Sequence, residues 1–135
     1  MKHVIRMAVA VCVISLTAAA QESTRVTGYL VDKMCASGMV KKSPADAMDR
    51  AAKHTRECAM EKDCAAAGYG VVSDGKWIQF DSKGNEKAAD FLKHTKQTDH
   101  LLVDVNGSVS NGVIAVSSIS KAKTAPHKAP KKTGA

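Results

Sequence analysis

Thiol and thioether side chains are concentrated in one segment of this 135-residue chain, which also contains a histidine. His54 and Cys58 stand four residues apart, a spacing that places both side chains on one face of a helix. Cys64 follows shortly after, and Cys35 lies upstream, at the end of the first predicted strand. The methionines outside the N-terminal leader all fall in the same segment, and they are Met34, Met39, Met48 and Met60. These residue types are suited to metal binding, disulfide formation or thiol chemistry.

A metal site is one hypothesis, with Cys35, His54, Cys58 and Cys64 as the ligands. Three thiolates and one imidazole would form a closed tetrahedral zinc site. Thiolate combined with methionine thioether would instead favour copper(I). The spacing contains no Cys-x-x-Cys pair, and methionine and histidine on an apolar helix face also serve as packing residues. Metal binding is therefore the alternative to a disulfide.

A disulfide is the primary expectation for Cys35, Cys58 and Cys64, because thiols that leave the cytoplasm meet an oxidising environment. A bond from Cys35 to either of the others would tie the helical segment to the first strand. By the chain-entropy argument such a bond stabilises the fold by about 3 kcal/mol. One thiol would remain unpaired, and the sequence does not choose the pair.

Catalytic signatures are lacking in the sequence, so a non-enzymatic binding or structural protein is expected. A thiol redox protein that uses Cys58 or Cys64 is a third, weaker hypothesis, and it would need a thiol with a depressed pKa. Asp32, three residues before Cys35, could end the first strand or orient the thiol; the strand end is the preferred interpretation because Asp is common at turns.

Export is predicted by the first twenty residues. MKHVIR is a positive n-region, MAVAVCVISL is an apolar core, and Thr17 to Ala20 form a small-residue cleavage site. The apolar run is too short to span a bilayer. We expect residues 1–20 to be a signal peptide cleaved near Ala20/Gln21, which places the mature protein in the periplasm or outside the cell.

The positive charge belongs mainly to the C-terminal tail. The formal net charge is +7, and removal of the two leader cations and the five lysines of residues 121–135 leaves residues 21–120 neutral. The tail has little to bury and should be disordered; it could contact anionic envelope surfaces. Nucleic-acid binding is not expected, because the folded part is neutral and aromatic residues make up 4% of the chain.

Hydrophobic periodicity predicts five strands and two helices between residues 21 and 120. Ser43-Pro44 begins a helix that is predicted to continue through Cys58, within a helical Cys/His/Met insert at 34–67. Asp74-Gly75 predicts a hairpin, residues 82–85 predict a turn before the second helix, and Asn106-Gly107 and Asn111-Gly112 offer further turns. The predicted strands are 25–32, 68–73, 76–81, 100–105 and 113–119, with a second helix at 86–94. This order is typical of a mainly β, OB-like five-stranded barrel, and a mixed sheet with one packed helix is the alternative.

The motifs also resemble those of a set of small exported bacterial proteins of unknown function. Such proteins combine a Gly-x-x-x-Asp-x-x-Cys opening, a helical segment with His and Cys, and a Gly-x-x-x-x-x-Asp-Gly-Lys hairpin. Here the pattern runs from Gly28, Asp32 and Cys35 through His54, Cys58 and Cys64 to Gly68 and Asp74-Gly75-Lys76. The similarity covers residues 26–119 and implies an OB-like fold and export, but no activity. The gap between Cys58 and Cys64 is wider than in similar sequences.

Overall fold

Five strands and five helices make up the part of the chain that the computed structural model describes, residues 22–124. The predicted leader, its cleavage site and the tail from residue 125 onward lie outside the described residues. The strands are β1 (Thr24–Asp32), β2 (Tyr69–Ser73), β3 (Lys76–Phe80), β4 (Leu102–Ser110) and β5 (Val113–Lys121). The helices are α1 (Lys33–Met39), α2 (Pro44–Ala52), α3 (Arg56–Met60), α4 (Lys62–Ala67) and α5 (Ser82–His94).

The strands form a closed hydrogen-bonded ring in the order β1-β2-β3-β5-β4. β1 pairs antiparallel with both β2 and β4, and its first residue, Thr24, lies opposite Gly107. A short parallel pairing of β3 with β5, at Gln79–Val113 and Phe80–Ile114, completes the ring. The five predicted strands and the helix between the third and fourth are confirmed, within a fold that mixes strands with several helices.

Two hairpins use the turns that the sequence predicts. Asp74 and Gly75 have φ angles of 50° and 76°, and Asn111 and Gly112 have 51° and 75°. Positive φ at both central residues defines the type I′ turn, whose twist matches that of the flanking strands. Asn and Gly tolerate this backbone region, which explains why the sequence signal is reliable at both sites.

Two other predicted turns are wrong, because each belongs to a longer element. Asn106 and Gly107 lie inside β4, where the register with β5 shifts and Gly107 sits close to the Ala115 carbonyl. The segment 82–85 is the first turn of α5, because the Asp81 carboxylate accepts a hydrogen bond of 2.8 Å from the Gly84 amide and caps the helix.

The predicted long helix is divided in two, and an unpredicted helix precedes it. α2 ends at Ala52, and α3 begins at Arg56 because the Thr55 hydroxyl accepts a 3.1 Å hydrogen bond from the Cys58 amide. α1 occupies the segment between the first predicted strand and Ser43, and it is capped by Asp32. A capping side chain forms a competing local hydrogen bond, so it starts a new helix even where the apolar period continues.

Alternation along β1 and β2 divides the buried side chains between two hydrophobic clusters. Leu30 and Val71 face the interior of the ring, together with Phe80 and residues of the other strands and α5. Val31 and Val72 face outward against α1 and α2. The outer cluster contains Ala36, Met39, Ala47 and Ala51, with Met48 and Trp77 packed beside it.

The helices α2 and α3 are attached to α5 and to the segment that precedes β4. The Arg56 amide donates a 2.8 Å hydrogen bond to the Thr98 carbonyl, and Nε of the same arginine donates to the Leu92 carbonyl at 2.6 Å. The His100 amide donates to the Ala52 carbonyl at 2.9 Å. These bonds hold the helices against α5 and the segment that precedes β4.

Candidate functional site

The three described cysteines occupy equivalent positions in three short helices. Cys35, Cys58 and Cys64 are each the third residue of their helix, α1, α3 and α4. The first two helices are capped by side chains, Asp32 on the Cys35 amide at 2.9 Å and Thr55 on the Cys58 amide at 3.1 Å. The cap of α4 makes no side-chain hydrogen bond. Capping therefore fixes two of the three thiols relative to the ring.

The thiols converge with a carboxylate. One ligand atom each from Asp32, Cys35, Cys58 and Cys64 lies within 4.8 Å of the others. Sγ of Cys35 and Sγ of Cys58 are 3.9 Å apart. Tetrahedral zinc with Zn–S bonds of about 2.3 Å separates two sulfur ligands by about 3.8 Å. The cluster thus has the donor number and spacing of a slightly expanded four-coordinate metal site.

Asp32 is the buried charge at the base of this cluster, with a relative exposure of 0%. Its Oδ1 accepts the hydrogen bond from the Cys35 amide. Its Oδ2 has no hydrogen-bond partner among residues 22–124, although Nε2 of His54 lies 3.0 Å away. Nε2 of His54 also lacks a hydrogen-bond partner among these residues, so the two buried polar atoms face each other. A buried carboxylate oxygen without a partner is costly, so this position is suited to a cation.

The pKa shifts show which protonation states the cluster favours. Burial, reinforced by the Asp32 carboxylate and the neighbouring Cys58 thiol, raises the pKa of Cys35 to about 12. Burial also raises the pKa of Cys64. Burial lowers the pKa of His54, against the opposing effect of Asp32. At neutral pH and without a metal, Cys35 and Cys64 therefore keep their protons, which is the opposite of what a reactive thiol needs.

His54 does not join the four-residue cluster, although the sequence suggested it as a ligand. It lies between α2 and α3, outside either helix, so the helical spacing to Cys58 does not apply. It is 6% exposed, and its Nε2 lies 3.0 Å from Oδ2 of Asp32. Asp32 occupies the fourth position instead. The signal for it is the spacing Asp32-x-x-Cys35, which Thr55-x-x-Cys58 repeats.

No disulfide joins the cysteines that the structure describes, and all three are free. The sulfurs of Cys35 and Cys58, at 3.9 Å, are well beyond the roughly 2.05 Å of a bonded pair. Both side chains are half-buried, whereas Cys64 is buried. The structure thus brings together the three candidates of the disulfide hypothesis and makes Cys35 and Cys58 a pair in van der Waals range.

Tyr69 holds α3 over the cluster and was not singled out from the sequence as a site residue. Its hydroxyl donates a buried 2.9 Å hydrogen bond to the Ala59 carbonyl. Burial, with Asp32 and Cys64 adding to it, raises the pKa of Tyr69. A tyrosine at the first position of a strand is an ordinary strand residue in sequence terms, so only the fold identifies this contact.

Comparison with known protein families, with curated proteins and with solved structures finds no match. Between residues 22 and 124, none of the helices is long and apolar enough to cross a membrane.

Proposed function

We propose that this chain is a non-catalytic metal-binding protein that holds one zinc ion between Asp32, Cys35, Cys58 and Cys64. The observation that carries the proposal is the convergence of a carboxylate oxygen of the fully buried Asp32 with three sulfurs, all within 4.8 Å of one another. A divalent ion at this point would neutralise the carboxylate and displace the thiol protons. Three thiolates and one carboxylate carry the same charge as the four thiolates of an all-cysteine zinc site.

The donor set favours zinc over copper. Copper(I) selects soft thiolate and thioether ligands, whereas this cluster includes a hard carboxylate oxygen, and Met39 and Met48 pack in the outer hydrophobic cluster. Met34 and Met60 are 54% and 40% exposed. Carboxylate oxygen is a common zinc ligand at about 2.0–2.2 Å. His54, in contact with the carboxylate, would orient it, as partners of metal ligands commonly do.

Cobalt(II) substitution tests the proposal directly. The full chain, reduced and freed of metal, is titrated with cobalt(II) in the absence of oxygen. We expect one equivalent to produce thiolate-to-cobalt charge-transfer absorption and the intense visible bands of a tetrahedral site, and we expect zinc to displace the cobalt and remove both.

Two matched variants locate the site. Cys64→Ser should weaken cobalt binding and reduce the charge-transfer intensity by about a third, because one of three thiolates is lost. Met60→Leu removes a nearby exposed sulfur and should leave the spectrum unchanged. An absence of tetrahedral bands in the parent protein, or equal losses in the two variants, would contradict the zinc site.

A disulfide-stapled cap is the second candidate function, and the 3.9 Å separation of the Cys35 and Cys58 sulfurs favours this pair. The bond would join α1 to α3 and leave Cys64 as the buried thiol. It predicts that the protein isolated after export loses thermal stability on reduction and is indifferent to chelators. A chelator that lowers the melting temperature of the reduced protein would instead favour the metal site.

The wider interpretation is of an exported OB-like domain with this site in its cap. The ring order and the position of α5 between β3 and β4 support the OB-like assignment. The signal peptide at 1–20, delivery to the periplasm or beyond, and contact of the basic tail with anionic envelope surfaces belong to the same proposal. Mass measurement of the protein recovered after export would test the cleavage at Ala20/Gln21.

A further inference from the structure

The cluster is exposed on one side only. Asp32 and Cys64 are 0% and 8% exposed, whereas Cys35 and Cys58 are half-buried. A reagent in solvent can therefore reach the latter two sulfurs first. An ion held at this site would have a buried pair of ligands at its base and an accessible pair at its outer edge.

The separation of the two accessible sulfurs permits either a bound metal ion or a disulfide bond. At 3.9 Å, the two sulfurs fit the edge of a zinc tetrahedron at about 3.8 Å. They could also form a bond of about 2.0 Å after an approach of about 1.9 Å. Each sulfur stands on its own short helix, α1 or α3, so the approach needs only side-chain rotation and a small helix shift. The metal-bound state and the disulfide exclude each other because both use the same sulfur electrons.

We propose that Cys35 and Cys58 form a redox gate, whose oxidation to a disulfide releases the metal ion. The inference rests on the zinc site proposed above. It assigns the bonded pair and makes the release of the ion dependent on a thiol oxidant. Only two ligands, the buried Cys64 and Asp32, then remain, which is too few for a four-coordinate site.

The oxidant is a disulfide, small or protein-borne, written R–S–S–R. The metal-bound thiolate of one gate cysteine attacks it, forming a mixed disulfide and expelling one RS⁻. The thiolate of the other gate cysteine then attacks the mixed disulfide, forming the Cys35–Cys58 bond and expelling a second RS⁻. Two protein thiolates lose two electrons in total and R–S–S–R gains them. Zn²⁺ leaves, and the Cys64 thiolate takes up a proton from water.

A bound metal keeps its cysteine ligands deprotonated. The gate cysteines are therefore thiolates in the loaded site, and the thiolate is the form that attacks a disulfide.

Zinc release and thiolate counting test the gate together. The full chain with Cys12→Ser, which leaves Cys35, Cys58 and Cys64 as its cysteines, is reduced, loaded with one zinc ion and treated with dithiobis(nitrobenzoic acid) beside a chromogenic zinc indicator. We expect one zinc ion and two coloured thiolates per chain in the same kinetic phase. Peptide mapping should then find a Cys35–Cys58 bond, and a dithiol reductant should restore zinc uptake.

The other outcomes separate the two proposals. A Cys35–Cys58 bond that forms while zinc stays bound overturns the gate and leaves the zinc site standing. A bond that includes Cys64, or release of zinc with no disulfide, also overturns the gate alone. A reduced chain that takes up no zinc before the oxidant is added overturns the proposed function, and the gate with it.

Discussion

Replacement of Asp32 by asparagine should change stability in opposite directions in the metal-free and zinc-bound protein. Asp32→Asn keeps the oxygen that accepts from the Cys35 amide, and asparagine caps helices as well as aspartate does. It replaces Oδ2, which has no aligned hydrogen-bond partner within residues 22–124, by an amide nitrogen that can donate to Nε2 of neutral His54, 3.0 Å from that position and likewise without a partner. An unsatisfied buried polar group costs about 1–3 kcal/mol. The metal-free variant should gain stability of that order.

The zinc-bound protein should show the reverse. At a free zinc concentration of about 100 times Kd, binding stabilises the parent protein by about 2.7 kcal/mol. Loss of the carboxylate ligand raises Kd, so the variant should gain much less from the same zinc. The assay is urea unfolding of the reduced proteins at about pH 8, with chelator and then with buffered zinc. At this pH His54 is neutral, because burial lowers its pKa.

Asp104 supplies the matched control, because it is a second buried aspartate whose oxygens are satisfied. It accepts hydrogen bonds from Arg25 and, at 2.6 Å, from Thr27, and the Arg25 contact lowers its pKa. Asp104→Asn should destabilise the protein with or without zinc and leave the zinc-dependent gain unchanged. If Asp32→Asn is destabilising in chelator, or zinc stabilises both variants equally, the reasoning about Oδ2 is refuted.

Three further predictions concern the surroundings of the site. The pKa of Cys35 is raised from 9.0 to about 12. In the metal-free protein at neutral pH, iodoacetamide should therefore alkylate Cys35 more slowly when the chain is folded than when it is unfolded in urea. The rate for the folded protein should be half-maximal near pH 12, and a half-maximal rate near pH 9 would contradict the burial effect. Thr55→Ala and Ser43→Ala each remove a helix cap, and each should lower the free energy of unfolding in urea by about 1 kcal/mol. Only Thr55→Ala should weaken cobalt binding. Equal effects on cobalt binding would show that the Thr55 cap does not position the site. Tyr69→Phe removes the hydrogen bond to the Ala59 carbonyl and should cost about 1–3 kcal/mol, so an unchanged unfolding midpoint would show that this bond contributes nothing.

The strands were predictable because their signals are local. Alternation along 25–32 and the pairs Asp74-Gly75 and Asn111-Gly112 determine backbone geometry within a few residues. Asn106-Gly107 carries the same turn chemistry, yet it lies in β4 because pairing on both sides of that strand outweighs the local preference. Local signals therefore identify a turn reliably only where the same residues do not belong to a longer paired strand.

The site was only partly predictable, since its fourth member depends on tertiary placement. The three cysteines are evident from their residue type. Asp32 has an ordinary role in sequence, at the end of a strand, and only burial at the end of β1 makes its second oxygen available to a ligand. His54 was placed on a helix because the apolar period runs through it, but the cap at Thr55 interrupts that helix.

The pairing of the first strand with the fourth has a consequence for the order in which the molecule assembles. Thr24 meets Gly107, far along the chain, and the ring closes only when β3 reaches β5. Contacts this distant in sequence form slowly. The helix α3, which carries Cys58, is also held by a bond from the Arg56 amide to the Thr98 carbonyl, which comes well after it in the chain. During synthesis and early folding the thiols are therefore present before anything encloses them, with ordinary reactivity. We expect the supply of metal or oxidant during that interval to influence whether the finished protein holds a metal ion or a Cys35–Cys58 disulfide.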